Sequence, residues 1–204
     1  MDKKTLCLGG SFNPIHHGHL ICARAVAESI GFGRILIIPT GQAPHKPAAP
    51  EQATSAQRLQ MCRLAIESLD QKTGVSFDVN DLEIIRPGPS YTLDTVRELR
   101  RQGWSKVHWL IGADMLNFLP KWHKHAELLS EADFLIMARP RETIDWVSLP
   151  SELHKLKNNV IPAPLIDISS TEIRKRVKQG LDITYLTPPA VVDFIHAHNL
   201  YRGS

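Results

Sequence analysis

The sequence is short of the features that most readily betray a function. It has three cysteines, Cys7, Cys22 and Cys62, an odd number with no C-x-x-C pair among them. They lie in apolar surroundings and read as buried, reduced thiols, so the expected location is cytoplasmic. No apolar run approaches the length of a membrane span. The run that follows Met1-Asp2-Lys3-Lys4 stops at Gly9-Gly10, too soon for a signal peptide. Charge of one sign is scarce, since the net +3 is small and dispersed. With aromatic and basic residues not interleaved either, no nucleic-acid partner is expected. There is no Ser–His–Asp or Cys–His pattern for a protein nucleophile, and no carboxylate cluster for a tightly held metal. Internal repeats, linkers and low-complexity segments are missing as well.

What remains is an ordinary globular composition, 43% hydrophobic and 22% charged over 204 residues. That length fits one domain, with a core to about residue 180 and a small helical extension over about 181–204. Thr5-Leu6-Cys7-Leu8 reads as a buried strand, and Leu20, Ala23, Ala27 and Ile30 recur at helical spacing until Gly31. Arg34-Ile35-Leu36-Ile37-Ile38 is a second strand of the doubly covered kind, which completes a βαβ unit. Further strands are expected at Val75–Val79, Val107–Ile111, Phe134–Met137 and, weakly, Val160-Ile161, with Leu82–Arg86 as another short extended piece. Helices are expected over 55–69, from Thr92 through Val96 and Leu99, around Ala126–Leu129, and from Ser169 to a stop at Gly180. Residues 141–159 carry only a short amphipathic signal at Leu149, Leu153 and Leu156, and the tail from Thr187-Pro188 reads as a Thr-capped helix. The fold this implies is α/β, a Rossmann-like doubly wound parallel sheet with ligands at the carboxyl ends of its strands.

The most specific stretch is Gly9-Gly10-Ser11-Phe12-Asn13-Pro14-Ile15-His16-His17-Gly18-His19-Leu20. It is a strand end, a glycine turn and a helix start, where backbone can approach a ligand and free N–H groups meet an anion. His16 and His19, three apart on one face, can offer a phosphate a positive charge or a donor. A second anion-binding helix start is Ile168-Ser169-Ser170-Thr171-Glu172-Ile173-Arg174. Ser169 and Glu172 have capping-box spacing, and the hydroxyls with Arg174 have the chemistry of a polyphosphate cradle. Ser90-Tyr91-Thr92 opens a helix that either Ser90 or Thr92 could cap, and whose amides would favour a carboxylate.

Gly10-Ser11-Phe12-Asn13-Pro14 followed by His16-x-Gly18-His19 resembles the signature of the H-x-G-H nucleotidyltransferases. Within that superfamily the chain resembles the bacterial nicotinate-nucleotide adenylyltransferases over nearly its whole length. The resemblance implies adenylyl transfer from ATP to nicotinate mononucleotide, with Mg²⁺ carried in by ATP and no metal ligands in the chain. It implies His16, His19 and Arg174 as catalytic residues. ATP would be held by Gly10, Ser11, Phe12, His16, Gly18, His19, Gly112, Asp114, Ile168, Ser169, Ser170, Thr171 and Arg174. Nicotinate mononucleotide would be held by Ser11, Phe12, His45, Lys46, Tyr91, Thr92, Asp114 and Trp122, the last by stacking on the pyridine ring. Arg58 also falls in the family's pattern, Arg86 and Arg139 have no assigned role, and homo-oligomer formation is left open. His17 departs from the aromatic or aliphatic residue expected there and raises a transition-metal reading. Adjacent helical residues diverge, however, so at most two of the three histidines could share an ion. The rival readings are an adenylyltransferase for nicotinamide mononucleotide or phosphopantetheine, and a non-catalytic dinucleotide sensor.

Overall fold

A computed structural model describes residues 4–44, 53–69, 74–140 and 143–203. Six parallel strands form one sheet in the order β3-β2-β1-β4-β5-β6. They are β1 (Thr5–Gly10), β2 (Arg34–Pro39), β3 (Ser76–Val79), β4 (His108–Gly112), β5 (Asp133–Ala138) and β6 (Val160–Pro162). The chain winds outward from β1 in one direction and from β4 in the other. The crevice beyond β1 and β4 is therefore the switch point where such sheets take their ligands.

Alternation along the strands divides the core into two faces. Leu6, Leu8, Ile35, Ile37 and Leu110 pack with α1 (His17–Ser29), α2 (Ser55–Glu67) and two C-terminal helices described below. Cys7, Leu36, Ile38, Trp109 and Ile111 face the other way, onto the helices between β3 and β5. All three cysteines are buried and free. Gly9 is required by this packing, because a Cβ there would lie 2.5 Å from Cζ2 of Trp109.

Leu82–Ile85, expected to be extended, is instead the short helix α3. Its start is fixed by Asn80, whose Oδ1 accepts from the Leu82 amide at 2.8 Å. Four residues are too few for an apolar period to tell helix from strand, so the local side-chain bond decides. α4 (Thr92–Arg101) and α5 (His125–Glu131) follow. The amphipathic signal in 141–159 is a 3-10 helix, Ser151–Asn159, with Leu149, Leu153 and Leu156 buried.

The last two helices are α6 (Ser170–Lys178) and α7 (Pro189–Ala197). Gly180 ends α6 in the left-handed region at φ +70°. Its own amide bonds to Val177 O and that of Leu181 to Arg176 O, the paired bonds that such a glycine permits. The tail differs from expectation at its start. Pro188 is the N-cap and Pro189 the first helical residue, while Thr187 sends its hydroxyl to Ile15 O at 2.7 Å. His198 is exposed and stacks on Phe194. Among the described residues no helix is long and apolar enough to cross a membrane.

Candidate active site

The loop between β1 and α1 is clamped from several directions. Phe12 has φ +46°, and its ring folds back over Gly10, where a Cβ would come 3.1 Å from ring carbon Cζ. The same ring meets His19 edge-on at 5.1 Å. Arg58, buried at the start of α2, donates to Ser11 O at 2.7 Å and to Gly41 O at 3.0 Å. Tyr201 donates to Asn13 Oδ1 at 2.6 Å, and Arg174 donates to Asn13 O at 2.7 Å. Ser170 donates to Pro14 O at 2.8 Å. α2, α6 and the tail therefore all hold one short segment.

His16 is the N-cap of α1, and its amide donates to Nδ1 of His19 at 3.2 Å. Nδ1 of His19 is thus an acceptor, so its proton sits on Nε2 and is free to donate. The two rings stack 3.6 Å apart. Burial, reinforced by His17 and Arg139, pushes His16 down to about 4, and burial followed by His16 pushes His19 well down. With both pushed down, the pair is neutral at pH 7, so it offers donors, and the positive charge allowed by the sequence is not in place. The α1 start is also less open than expected, since the His17 amide already donates to Leu186 O and that of His19 to His16 O. Gly18 is not an open surface. It is buried, and a Cβ there would lie 3.0 Å from Nδ1 of His16 and 3.4 Å from Cγ2 of Ile166.

A cavity of about 440 Å³ opens at the carboxyl ends of β1 and β4. It gathers Gly10, Ser11, His19, Tyr91, Thr92, Gly112, Asp114 and Trp122 of the expected set. The Phe12 side chain is buried behind the wall instead of lining it, so only its backbone is left for a ligand. Gly112 leaves room for the Asp114 carboxylate, which occupies the space that a Cβ would need. Trp122 is half-buried, with its ring 6.3 Å from that of Phe134.

The capping expected at α4 is not found. Tyr91 is the N-cap, with no side-chain cap. The Ser90 hydroxyl turns away to accept from the amides of Gly41 and Gln42, at 3.0 and 3.2 Å. Thr92 and Leu93 amides consequently have no acceptor among the described residues. Two residues that the pattern did not single out also line this end. His123 stacks on Tyr91 at 4.1 Å, and Glu83 lies beside Ser90.

The Ile168–Arg174 group is not on that cavity's wall. It flanks the other side of the Asn13–His16 segment. Ser169 is the N-cap, accepting from the Glu172 amide at 3.1 Å, which leaves the Ser170 and Thr171 amides without an acceptor among the described residues. Arg174 also donates to Thr171 Oγ1 at 3.2 Å. The hydroxyl of Ser170 and part of the Arg174 guanidinium therefore already serve the loop. Ile168 packs at the edge of the core, leaving its backbone as the group a ligand could reach. His45 and Lys46 lie outside the described residues. No group of three or more His, Cys, Asp or Glu that could hold a metal occurs among the described residues.

A family described as cytidylyltransferase-like matches residues 7–176. A probable nicotinate-nucleotide adenylyltransferase of Roseiflexus sp. (strain RS-1) is 42% identical over 197 residues, covering 96% of this chain and 96% of that protein. One of Pectobacterium atrosepticum is 36% identical over 220 residues, covering 99% and 100%. The fold matches that of Plasmodium falciparum nicotinic acid mononucleotide adenylyltransferase complexed with NaAD, with a TM-score of 0.77, 22% identity and 97% of each chain covered. By the family match over residues 7–176 and by relatives of more than a third identity along their whole length, the chain belongs to the cytidylyltransferase-like family and, within it, to the nicotinate-nucleotide adenylyltransferases.

Proposed function

We propose that the chain transfers the adenylyl group of ATP to nicotinate mononucleotide, giving nicotinate adenine dinucleotide and pyrophosphate, a step of NAD synthesis. The observation that carries this reading is one cavity that unites His19, Thr92 with its open amide at the start of α4, and Trp122.

The nucleophile is a phosphate oxygen of the mononucleotide, already ionised at neutral pH. It forms a bond to the α-phosphorus as the bond to the β-phosphate oxygen breaks, and pyrophosphate leaves with the electron pair. No general base or covalent intermediate is required, so catalysis consists of positioning and charge stabilisation. His19 would donate from Nε2 to the α-phosphate as charge accumulates in the transition state. His16 would stack behind it and fix its tilt. The open amides of Ser170 and Thr171, with the remaining donors of Arg174, would hold the β- and γ-phosphates. The pyridine ring would lie on Trp122, with its carboxylate at the amides of Thr92 and Leu93. Magnesium, in this reading, would arrive as part of the MgATP substrate and keep its waters.

Pyrophosphate release from ATP, measured with and without nicotinate mononucleotide, tests the reading. Release that depends on the mononucleotide supports it, and release that ignores the mononucleotide overturns it.

A further inference from the structure

Glu83 has no task in the reaction as described, yet it lies in the cavity wall with Ser90, Tyr91 and Thr92. It is 4% exposed. Its Oε1 accepts from Thr95 Oγ1 at 2.7 Å, one turn into α4, and the nearby Ser90 hydroxyl also favours its ionised form. Two cations face it, Arg86 from the end of α3 and Arg58 from α2. Neither pairs with it directly. Arg86 donates instead to Thr95 Oγ1 at 3.0 Å, and Arg58 is spent on Ser11 O and Gly41 O. The other ionisable groups on the cavity wall are His19, Tyr91, Asp114 and His123. Burial outweighs the hydroxyls and the two offset guanidiniums, and it pushes the Glu83 carboxyl up to about 7.

The cavity wall thus carries both an acid, Glu83, and the start of α4 at Thr92, whose amide is open. A substrate carboxylate docked on that amide and an ionised Glu83 would be like charges in a poorly solvated space, a conflict that one proton removes. We propose that Glu83 tunes specificity in the mononucleotide pocket, taking up a proton when a carboxylate docks at the start of α4 and thereby setting the preference for acid over amide. This rests on reading the cavity as a mononucleotide site. The amide raises no such conflict and binds with Glu83 in either state. Above the midpoint of Glu83 the acid must bring a proton with it, so its advantage decays as pH rises.

Calorimetric titration of the full chain with nicotinate mononucleotide and with nicotinamide mononucleotide, from about pH 6 to about pH 9, tests this. The phosphate is common to both ligands, so its titration cancels in the ratio of their Kd values. The acid preference is expected to fall by up to about tenfold per pH unit above the midpoint, with proton uptake for the acid only. Glu83→Gln should flatten the ratio. Thr95→Val, which removes a donor to the carboxylate, should move the midpoint to higher pH. If Glu83→Gln does not fold, proton uptake by the unmodified chain in two buffers of different ionisation enthalpy decides. A ratio independent of pH, or a slope that survives in Glu83→Gln, overturns the proposal alone. Failure of both mononucleotides to bind at every pH overturns the underlying reading, and the proposal with it.

Discussion

The Tyr201 hydroxyl donates to the side chain of Asn13 at 2.6 Å, joining the last turn of the chain to the loop that carries the histidines, 188 residues earlier. Both residues are buried. The tail is therefore part of what shapes the loop, together with Thr187 on Ile15 O and Leu186 O on the His17 amide.

Tyr201→Phe keeps the ring and strands Asn13 Oδ1. The expected cost is about 1–3 kcal/mol of stability, with a fall in turnover as the loop loosens. Thermal unfolding alongside steady-state kinetics checks both. An unchanged Tm would show that the bond does not hold the loop.

His19→Ala should lower kcat by roughly 10²-fold or more and leave ATP binding nearly intact, because in the proposed reaction its Nε2 donor would meet charge that develops only in the transition state. A raised Kd for ATP with unchanged kcat would make it a ground-state contact instead. Gly18→Ala should have a milder effect of the same kind, since its Cβ would press on the His16 ring that backs His19.

Arg174→Ala should chiefly raise the KM for ATP, with a loss of stability because the bond to Asn13 O goes too. Titration of both substrates separates the roles. If the mononucleotide constant alone moves, the guanidinium holds the other phosphate.

Two of the groups through which stability should depend on pH, His16 and Glu83, act in opposite directions. His16 is depressed from 6.5 to about 4, so its contribution is fully present above 6.5 and is lost as pH falls towards 4, on the order of 3 kcal/mol. Glu83 is raised from 4.5 to about 7, so its contribution is present below 4.5 and is lost as pH rises through 7. The two partly cancel in the unmodified chain. Denaturant midpoints between pH 4.5 and 6.5 should therefore fall more steeply on acidification in Glu83→Gln, and less steeply in His16→Asn. Parallel curves for all three would contradict these assignments.

Much of the fold could be read from the sequence because the β-branched runs and the glycines at their ends are local signals. Leu82–Ile85 could not, since four apolar residues carry no period and the deciding bond comes from Asn80. The grouping of His19, Tyr91, Thr92, Gly112, Asp114 and Trp122 in one cavity follows from the parallel order that puts every strand's carboxyl end on one side. Arg58 carries no comparable signal, because it grips two carbonyls, and backbone carbonyls leave no mark on a sequence. The same holds for Ser90, whose hydroxyl serves loop amides that sit nearly fifty residues away along the chain. Glu83 and His123 matter through their neighbours in space, and neither falls in a recognisable pattern.

Trp122→Ala should weaken the nicotinate and nicotinamide mononucleotides alike, because a stacked ring is indifferent to the substituent. Inhibition constants for the two ligands check this, and a change in their ratio would place Trp122 at the carboxylate.

The ratio of kcat/KM for pyrophosphate release with acid and amide mononucleotides at neutral pH tests most directly whether the amides opening α4 recognise a carboxylate. The unmodified chain should prefer the acid by at least about tenfold, or ~1.4 kcal/mol. Thr92 is the first helical residue, and Tyr91 before it is extended at φ -81°, ψ 129°, so proline fits there while removing one donor. Thr92→Pro should therefore shrink the preference without breaking the helix. Equal kcat/KM for acid and amide in the unmodified chain would contradict this account of the pocket.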